Sequence, residues 1–119
     1  MKKIAVIVLL LGLYATYGCW VYTAGTSCNI VMTEAAKQGK LLWQKNNCQS
    51  CHQLYGLGGY MGPDLTQVTT TKRAGEKYTR GMLLNGGDRM PNFHFTAEEA
   101  DEIIAYLSYV GNTAITITK

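Results

Sequence analysis

Cys48-Gln49-Ser50-Cys51-His52 is the most informative run of this sequence. A C-x-x-C-H run is the attachment signature of a c-type haem. The thiols of Cys48 and Cys51 can add to the two vinyl groups of one porphyrin, and the imidazole of His52 is then held against the iron from one face. The sequence therefore predicts one covalently bound haem c, with Cys48 and Cys51 as attachment sites and His52 as an axial ligand.

Two other uses of a C-x-x-C pair fit this sequence less well. A structural zinc site needs a second pair of ligands, yet the only other histidine is His94, and Cys19 and Cys28 lie in an apolar segment. A thioredoxin-like motif needs βαβ patterning around it, and the sequence has no such pattern. Haem attachment is therefore the favoured interpretation.

The N-terminal segment has the length and composition of a membrane span. Residues 4–22 are uncharged and mostly aliphatic, and as a helix they would rise about 28 Å, close to the roughly 30 Å of a bilayer's hydrocarbon core. Lys2 and Lys3 precede the span and no positive charge follows until well past it, so the positive-inside rule predicts an outward-facing remainder. We expect residues 1–32 to form a membrane anchor with a short juxtamembrane segment, and residues 33–119 to form the haem domain.

A cleaved signal peptide is the main alternative for this segment. Its apolar core would be only about 7 to 15 residues long and would end in a small-x-small cleavage site. Here the run is longer, and bulky Tyr17, Trp20 and Tyr22 occupy the end where cleavage would fall. Cys19 lacks the residues that usually precede a lipoprotein cysteine, and on one helix it would lie about 13 Å from Cys28, too far for a disulfide. We therefore predict an uncleaved anchor and no disulfide.

The outer segment has the pattern of a small all-α domain. We predict a first helix over residues 34–46 with Thr33 as its N-cap, and a middle helix over residues 77–84. A last helix should begin at the capping box Thr96-Ala97-Glu98-Glu99 and end at Gly111-Asn112, with a frayed tail beyond. No strand pattern is visible. The buried side of the first helix is expected to carry Leu41, Leu42 and Trp43.

Two spacings predict that the first and last helices cross. Gly39 and Trp43 share one helical face, and so do Ile103 and Tyr106. A glycine lets two helices approach closely while an aromatic ring fills the space beside it. Gly-x-x-x-aromatic paired with aliphatic-x-x-Tyr is similar to the helix contact of class I cytochromes c. The predicted fold is therefore all-α, a single N-terminal transmembrane helix followed by a class I cytochrome c domain.

The second axial ligand must come from a segment downstream of His52. Met61 follows His52 too closely for the chain to pass comfortably round a porphyrin edge. Met82 falls in the predicted middle helix, where core packing is the default role of methionine, and His94 has the pattern of a loop histidine. Met90, which follows a Gly-Gly turn and precedes a proline, is the predicted ligand, with an open site as a further alternative. The second ring nitrogen of a ligating histidine needs an acceptor. The similarity to class I cytochromes c implies that the Pro63 carbonyl oxygen provides it, and a simple turn at Gly62-Pro63 is a compatible alternative.

Charge and motif content limit the function classes. All 8 acidic residues and 9 of the 11 basic residues follow Thr33, so the outer domain is nearly neutral and nothing indicates nucleic-acid binding. The sequence contains no nucleophile with a base and no paired-carboxylate site. An iron with both axial positions filled transfers electrons and offers no position for substrate. The chain is thus expected to carry electrons without a catalytic site of its own.

Several segments resemble the small cytochrome c subunit of bacterial nitric oxide reductase. The resemblance covers the anchor, the single haem and most of residues 41–107, while residues 69–87 match poorly. The matching segments are Trp43-Gln44-Lys45-Asn46-Asn47-Cys48, Cys51-His52-Gln53-Leu54-Tyr55-Gly56-Leu57-Gly58-Gly59-Tyr60, Gly62-Pro63-Asp64-Leu65 and Met90-Pro91-Asn92-Phe93.

The resemblance implies a role in denitrification. A soluble cytochrome or cupredoxin would donate electrons, and the small subunit would pass them to a large polytopic haem b subunit whose haem and non-haem iron reduce nitric oxide to nitrous oxide. It also implies that Cys48 and Cys51 hold the haem, that His52 and Met90 ligate iron, and that Gly58 and Tyr60 help to hold a calcium ion at the subunit boundary. The implied location is the bacterial inner membrane, with the haem domain on the periplasmic side.

Three other functions stay open from the sequence alone. The same anchor and haem chemistry would suit the cytochrome subunit of a haem–copper oxygen reductase or a free-standing membrane-anchored electron shuttle. A haem-based gas sensor would need a labile sixth ligand in place of Met90. The sequence does not assign roles to Cys19, Cys28 or His94.

Overall fold

The computed structural model describes residues 2–25, 30–70 and 75–117, so Cys28 lies outside the described residues. Within these ranges the chain is mainly helical, and the only strands form one antiparallel pair of two residues each. The predicted all-α class is therefore confirmed. The elements in chain order are α1 (Lys2–Gly25), α2 (Glu34–Lys45), a 3₁₀ turn (Cys48–Ser50), β1 (Gln53–Leu54), β2 (Leu57–Gly58), α3 (Gly75–Asn85) and α4 (Ala97–Ile117).

Helix α1 is long and apolar enough to cross a membrane, judged by its length and composition. Its 24 residues rise about 36 Å, somewhat more than a hydrocarbon core of about 30 Å. Its aliphatic and aromatic side chains are exposed almost throughout, and apolar surface on this scale marks contact with lipid or another protein. The predicted N-terminal apolar helix is therefore present.

Helix α2 begins where the sequence predicts. The Thr33 side chain accepts a hydrogen bond of 3.2 Å from the N–H of Ala36, which caps the first turn. Gly39 and Trp43 are buried on one face, whereas Leu41 is 57% exposed. The expectation that Leu41 lies on the buried side is wrong, because adjacent helical residues are about 100° apart and three in a row cannot share one face.

The predicted contact between the first and last helices of the domain is present. A Cβ atom on Gly39 would lie 2.9 Å from the backbone nitrogen of Ile103 and closer still to the carbonyl group of Glu102, so only glycine permits this approach. Beside it, the ring centroids of Trp43 and Tyr106 are 6.2 Å apart. Helices α2 and α4 therefore cross with their backbones in contact, and both predicted spacings are confirmed.

Helix α4 has the predicted beginning and a different end. The Thr96 N–H donates to the Glu99 carboxylate at 2.9 Å, and the Glu99 N–H donates to the Thr96 hydroxyl at 3.2 Å, which is the reciprocal capping box. The expected stop at Gly111-Asn112 is wrong, since the helix continues to Ile117. The predicted frayed tail beyond Asn112 is helical as far as the structure describes it.

Tertiary contacts explain why the glycine near the end of α4 does not stop the helix. A Cβ atom on Gly111 would lie 3.1 Å from the carbonyl oxygen of Thr66, so the glycine permits a close approach of the preceding loop. The Thr113 hydroxyl donates to the Val110 carbonyl oxygen at 2.8 Å. The hydroxyl of Tyr55 donates to the same oxygen at 3.1 Å. These bonds fix the last turns in helical geometry.

The hydrophobic core lies among α2, α3 and α4. Ile103 and Leu107 of α4 are its largest fully buried side chains. Helix α3 matches the predicted middle helix with ends extended by one or two residues. The remaining buried members are Trp43, Leu54, Leu83, Phe95, Ala100, Ile104 and Val110, and half-buried residues packed against them include Leu42, Leu65, Val68, Met90 and Phe93.

Candidate haem site

A cavity of about 790 Å³ opens beside the core. That volume is within the roughly 300–1,000 Å³ typical of cofactor sites. Its wall contains Cys48, Cys51 and His52 of the C-x-x-C-H motif together with methionines from later segments. Other described residues of the wall include Trp43, Leu65, Val68, Tyr78, Thr79, Leu83, Asp88, Arg89, Phe93, Ile103 and Leu107.

The C-x-x-C-H motif is presented by a tight turn directly after α2. Asn47 adopts the left-handed conformation (φ 51°) that ends the helical path. The His52 N–H then donates to the Cys48 carbonyl oxygen at 3.0 Å, which closes the turn. Cys48 and Cys51 are both half-buried free thiols, and burial raises the pKa of the Cys48 thiol. The turn therefore brings both thiols and the imidazole to one cavity wall.

The imidazole of His52 is oriented by the segment that follows it. His52 Nδ1 lies 3.0 Å from the Pro63 carbonyl oxygen. Because a carbonyl oxygen can only accept, Nδ1 carries a proton, and in the neutral imidazole Nε2 then has the free lone pair. A Cβ atom on Gly62 would lie 2.6 Å from His52 Nδ1, so the Gly62 backbone packs directly on the ring. This is the geometry in which a histidine ligates a metal through Nε2.

Met61 and Met82 line the cavity wall in addition to Met90. Met61 is 66% exposed, and its sulfur lies 4.0 Å from the Cys51 sulfur. Met90 follows a turn closed by a hydrogen bond of 2.9 Å from the Gly87 N–H to the Met90 carbonyl oxygen, and its side chain packs on the core. Its assignment as the second axial ligand stays a prediction.

Met82 is the wall residue that sequence reasoning assigned to ordinary core packing. It belongs to α3 and lies against the loop that carries the predicted ligand, since a Cβ atom on Gly87 would be 2.6 Å from its terminal methyl carbon. The available signal was its spacing: Thr79 and Met82 are three residues apart on one helical face, and both line the cavity.

Three other predicted or discussed residues lie away from this wall. Tyr60 is 85% exposed, and Gly58, at the end of β2, has φ 137°. Within residues 2–25, 30–70 and 75–117 no group of three or more His, Cys, Asp or Glu side chains could hold a metal ion. His94 is exposed and is not part of the cavity wall.

The residues present fit a haem c. Two thiols spaced for two vinyl groups, an imidazole with a free Nε2 and methionine sulfurs from other segments line one largely apolar cavity. Arg89 is the only Lys or Arg among the described lining residues, so it offers a positive charge to a propionate. The donor set therefore fits a haem c.

Comparison with known proteins gives the family. Residues 34–107 match the family described as cytochrome c oxidase, cbb3-type, subunit III. The chain is 30% identical over 113 residues to the C subunit of nitric oxide reductase from Halomonas halodenitrificans, which covers 85% of this chain and 75% of that protein. It is 33% identical over 88 residues to the corresponding C subunit from Stutzerimonas stutzeri, covering 66% of this chain and 60% of that protein.

A third relative agrees. The C subunit of nitric oxide reductase from Paracoccus denitrificans is 30% identical over 94 residues, covering 67% of this chain and 61% of that protein. The chain thus spans about three fifths of the length of the Stutzerimonas and Paracoccus relatives. The helix crossing, the C-x-x-C-H wall and the apolar cavity agree with a cytochrome c domain that binds haem c. This chain belongs to the cbb3-type subunit III family of cytochrome c domains and, with these relatives, to the family of nitric oxide reductase C subunits.

Proposed function

We propose that this chain is the membrane-anchored electron-transfer subunit of a nitric oxide reductase. It accepts electrons from a soluble cytochrome c or cupredoxin and passes them to a polytopic catalytic subunit that carries haem b and non-haem iron. The convergence of Cys48, Cys51 and His52 with methionine sulfur on one apolar cavity carries the proposal. The names of the relatives supply the activity, the reduction of nitric oxide. The resemblance implies nitrous oxide as the product, so that two nitric oxide molecules would take up two electrons and two protons to give nitrous oxide and water.

The proposed roles follow from the donor chemistry. The thiols of Cys48 and Cys51 would hold the haem through two thioether bonds, each formed by adding one S–H across one vinyl double bond with no atom lost. His52 Nε2 and the Met90 sulfur would ligate its iron, and the Pro63 carbonyl oxygen would hold the Nδ1 proton of the imidazole. A haem held in this way would supply one-electron transfer, and a methionine ligand would raise its reduction potential.

The proposed placement follows from α1. We propose one pass through the bacterial inner membrane with Lys2 and Lys3 on the cytoplasmic side and residues 33–119 on the periplasmic side. Residues 1–32 then form the uncleaved anchor. Donor and catalytic partner would meet the haem domain outside the membrane.

A calcium ion at the boundary with the catalytic subunit forms a further part of the proposal, with Gly58 and Tyr60 as contributors. Tyr60 is well exposed beside the motif, and calcium takes six to eight oxygen ligands. The other ligands would have to come from the partner. We expect calcium in the purified complex and its loss from the separated subunit, measured by elemental analysis of both; calcium-free complex contradicts this part.

Affinity purification of the full chain in mild detergent tests the main proposal. We expect co-elution with a polytopic haem b protein that contains non-haem iron. Copper in place of that iron would support a haem–copper oxygen reductase, a second candidate favoured by the subunit III description of the matched family. Elution without any partner would support the free-standing shuttle.

Denaturing electrophoresis tests the attachment independently. The wild-type band should keep haem pigment and peroxidase staining, because a covalent group survives unfolding. The double variant Cys48→Ala/Cys51→Ala should lose both signals, while Cys19→Ala, in the exposed α1, should keep them. A wild-type chain with the mass of the bare polypeptide would overturn covalent attachment.

A further inference from the structure

We propose that Asp64 is a positioning residue for the haem ligand His52. Its carboxylate joins the two chain segments on either side of the His52–Pro63 contact and thereby fixes the imidazole. The inference rests on the proposed function, in which His52 ligates iron, and concerns how this chain holds that ligand.

The carboxylate of Asp64 accepts two backbone hydrogen bonds from different segments. Oδ1 accepts from the N–H of Thr66 at 2.7 Å, and Oδ2 accepts from the N–H of Gly56 at 3.1 Å. The first bond fixes the turn after Pro63, and the second reaches the turn that follows His52. One side chain thus bridges both segments between which the imidazole is held.

Neighbouring bonds make this bridge part of a small network. The Leu65 N–H donates to the Gln53 carbonyl oxygen at 2.9 Å, and residues 53 and 64 form an isolated parallel bridge. The Thr66 hydroxyl accepts from the Tyr55 N–H at 2.7 Å. These bonds and the bond from Gly56 to Asp64 all run between residues 53–56 and residues 64–66, so they hold the two segments together.

The turn at Tyr55 and Gly56 needs such ties. Both residues have positive φ, 55° and 75° respectively, and for tyrosine this left-handed conformation is uncommon. Surrounding bonds must therefore hold the turn in place. Two of those bonds run from the consecutive N–H groups of the turn, Tyr55 to the Thr66 hydroxyl and Gly56 to the Asp64 carboxylate.

The charge state of Asp64 agrees with this geometry. Hydrogen bonding with Thr66, reinforced by the N–H of Gly56, lowers the pKa of the Asp64 carboxyl. Both oxygens are then acceptors. An asparagine at this position would offer only one acceptor oxygen and could keep one of the two bonds.

The consequence for the ligand is specific. A ligating imidazole is oriented, and made more basic, by the acceptor of its other N–H. The Pro63 carbonyl oxygen keeps its 3.0 Å contact with His52 Nδ1 only while the two segments stay in register. Loss of the bridge should therefore expose the Nδ1 proton to water.

The test measures solvent exchange of the His52 Nδ1 proton by NMR, in the reduced, haem-loaded full chain with ¹⁵N-histidine. We expect exchange about tenfold faster in Asp64→Ala and an intermediate rate in Asp64→Asn. Asp88→Asn is the matched control, because Asp88 also lines the cavity and its loss removes the same charge. That variant should exchange at the wild-type rate.

The possible outcomes separate the two proposals. Haem-bearing Asp64→Ala with wild-type exchange overturns the positioning role and leaves the proposed function standing. Equal acceleration in Asp88→Asn overturns it too, since charge alone would then explain the effect. If Asp64→Ala does not accumulate, the exchange rate of the His52 Nδ1 proton is compared between Asp64→Asn and Asp88→Asn. Equal exchange rates in these two variants would contradict the positioning role. A wild-type chain without covalent pigment overturns both proposals.

Discussion

The ring centroids of Trp43 and Tyr106 lie 6.2 Å apart where α2 crosses α4. The same indole has its centroid 6.4 Å from the imidazole of His52. Trp43 is 4% exposed, so one buried ring joins the helix crossing to the cavity wall. Aromatic pairs at such distances contribute about 0.5–1.5 kcal/mol beyond their buried area. Changes at the crossing should therefore alter the position of His52, the proposed haem ligand.

The first prediction concerns the close backbone approach at Gly39. Gly39→Ala should lower the free energy of unfolding by about 1–3 kcal/mol, because its methyl group would overlap the backbone of Glu102 and Ile103 and push the helices apart. Denaturant unfolding of the haem-loaded protein measures this. Gly81→Ala is the control, since Gly81 is also helical and a Cβ atom there meets nothing within 4 Å. Equal effects in the two variants would contradict the steric argument.

The second prediction concerns alkaline pH. Burial raises the pKa of Tyr106, with smaller contributions from Tyr55 and Tyr109. The pKa of Tyr106 is thus higher in the folded than in the unfolded protein, so the neutral tyrosine contributes to stability. That contribution is complete below the unfolded-state pKa of about 10 and is lost as the pH rises through the folded-state pKa.

Tyr106→Phe tests that sign. The variant keeps a ring against Trp43 and removes the titrating hydroxyl, so its unfolding free energy should fall less steeply above about pH 10 than that of the wild type. Parallel alkaline titrations of unfolding provide the comparison. Superimposable slopes would show that Tyr106 does not contribute.

The third prediction decides among the methionines of the cavity wall. Met90→Ala should keep covalent haem, lose the sulfur-to-iron charge-transfer band of the oxidised protein and lower the reduction potential, because a thioether ligand raises it. Met82→Ala and Met61→Ala are matched controls, since both residues line the same cavity. Spectroelectrochemistry records band and potential together. If the band survives in Met90→Ala and disappears in one of the two controls, the ligand is the methionine replaced in that control.

The fourth prediction concerns the backbone that packs on the imidazole. A methyl group on Gly62 would meet His52 Nδ1 at 2.6 Å, so Gly62→Ala should displace the ring from Pro63 or the loop from the ring. We expect a raised reduction potential with covalent haem retained, since a weaker acceptor at Nδ1 makes the imidazole less basic. Gly81→Ala again provides a control, and a wild-type potential in Gly62→Ala would be the contrary result.

Local signals in the sequence predicted the helices and the motif. The capping box at Thr96 and Glu99 depends on residues within one turn, and the C-x-x-C-H run carries its chemistry in five adjacent positions. The capping box and the motif need no information about distant parts of the chain. The crossing at Gly39 was predicted because helical spacing shows which residues share a face and because both spacings are similar to the helix contact of class I cytochromes c.

The errors have tertiary causes. A glycine such as Gly111 is typical of a helix end, yet α4 continues past it because the loop near Thr66 packs closely against Gly111. Met82 was expected in the core, and its place in the cavity wall depends on where α3 lies relative to the motif. The role proposed for Asp64 was equally invisible, since its two partners belong to separate turns that only the fold brings together.

The hydrogen bond from Tyr55 to the Val110 carbonyl oxygen joins positions 55 residues apart. It ties the turn beside the cavity to the last turns of α4. An affinity tag or fluorescent fusion attached directly after α4 would therefore disturb that turn. Labels for single-molecule or purification work are better joined through a flexible spacer, or placed before α1.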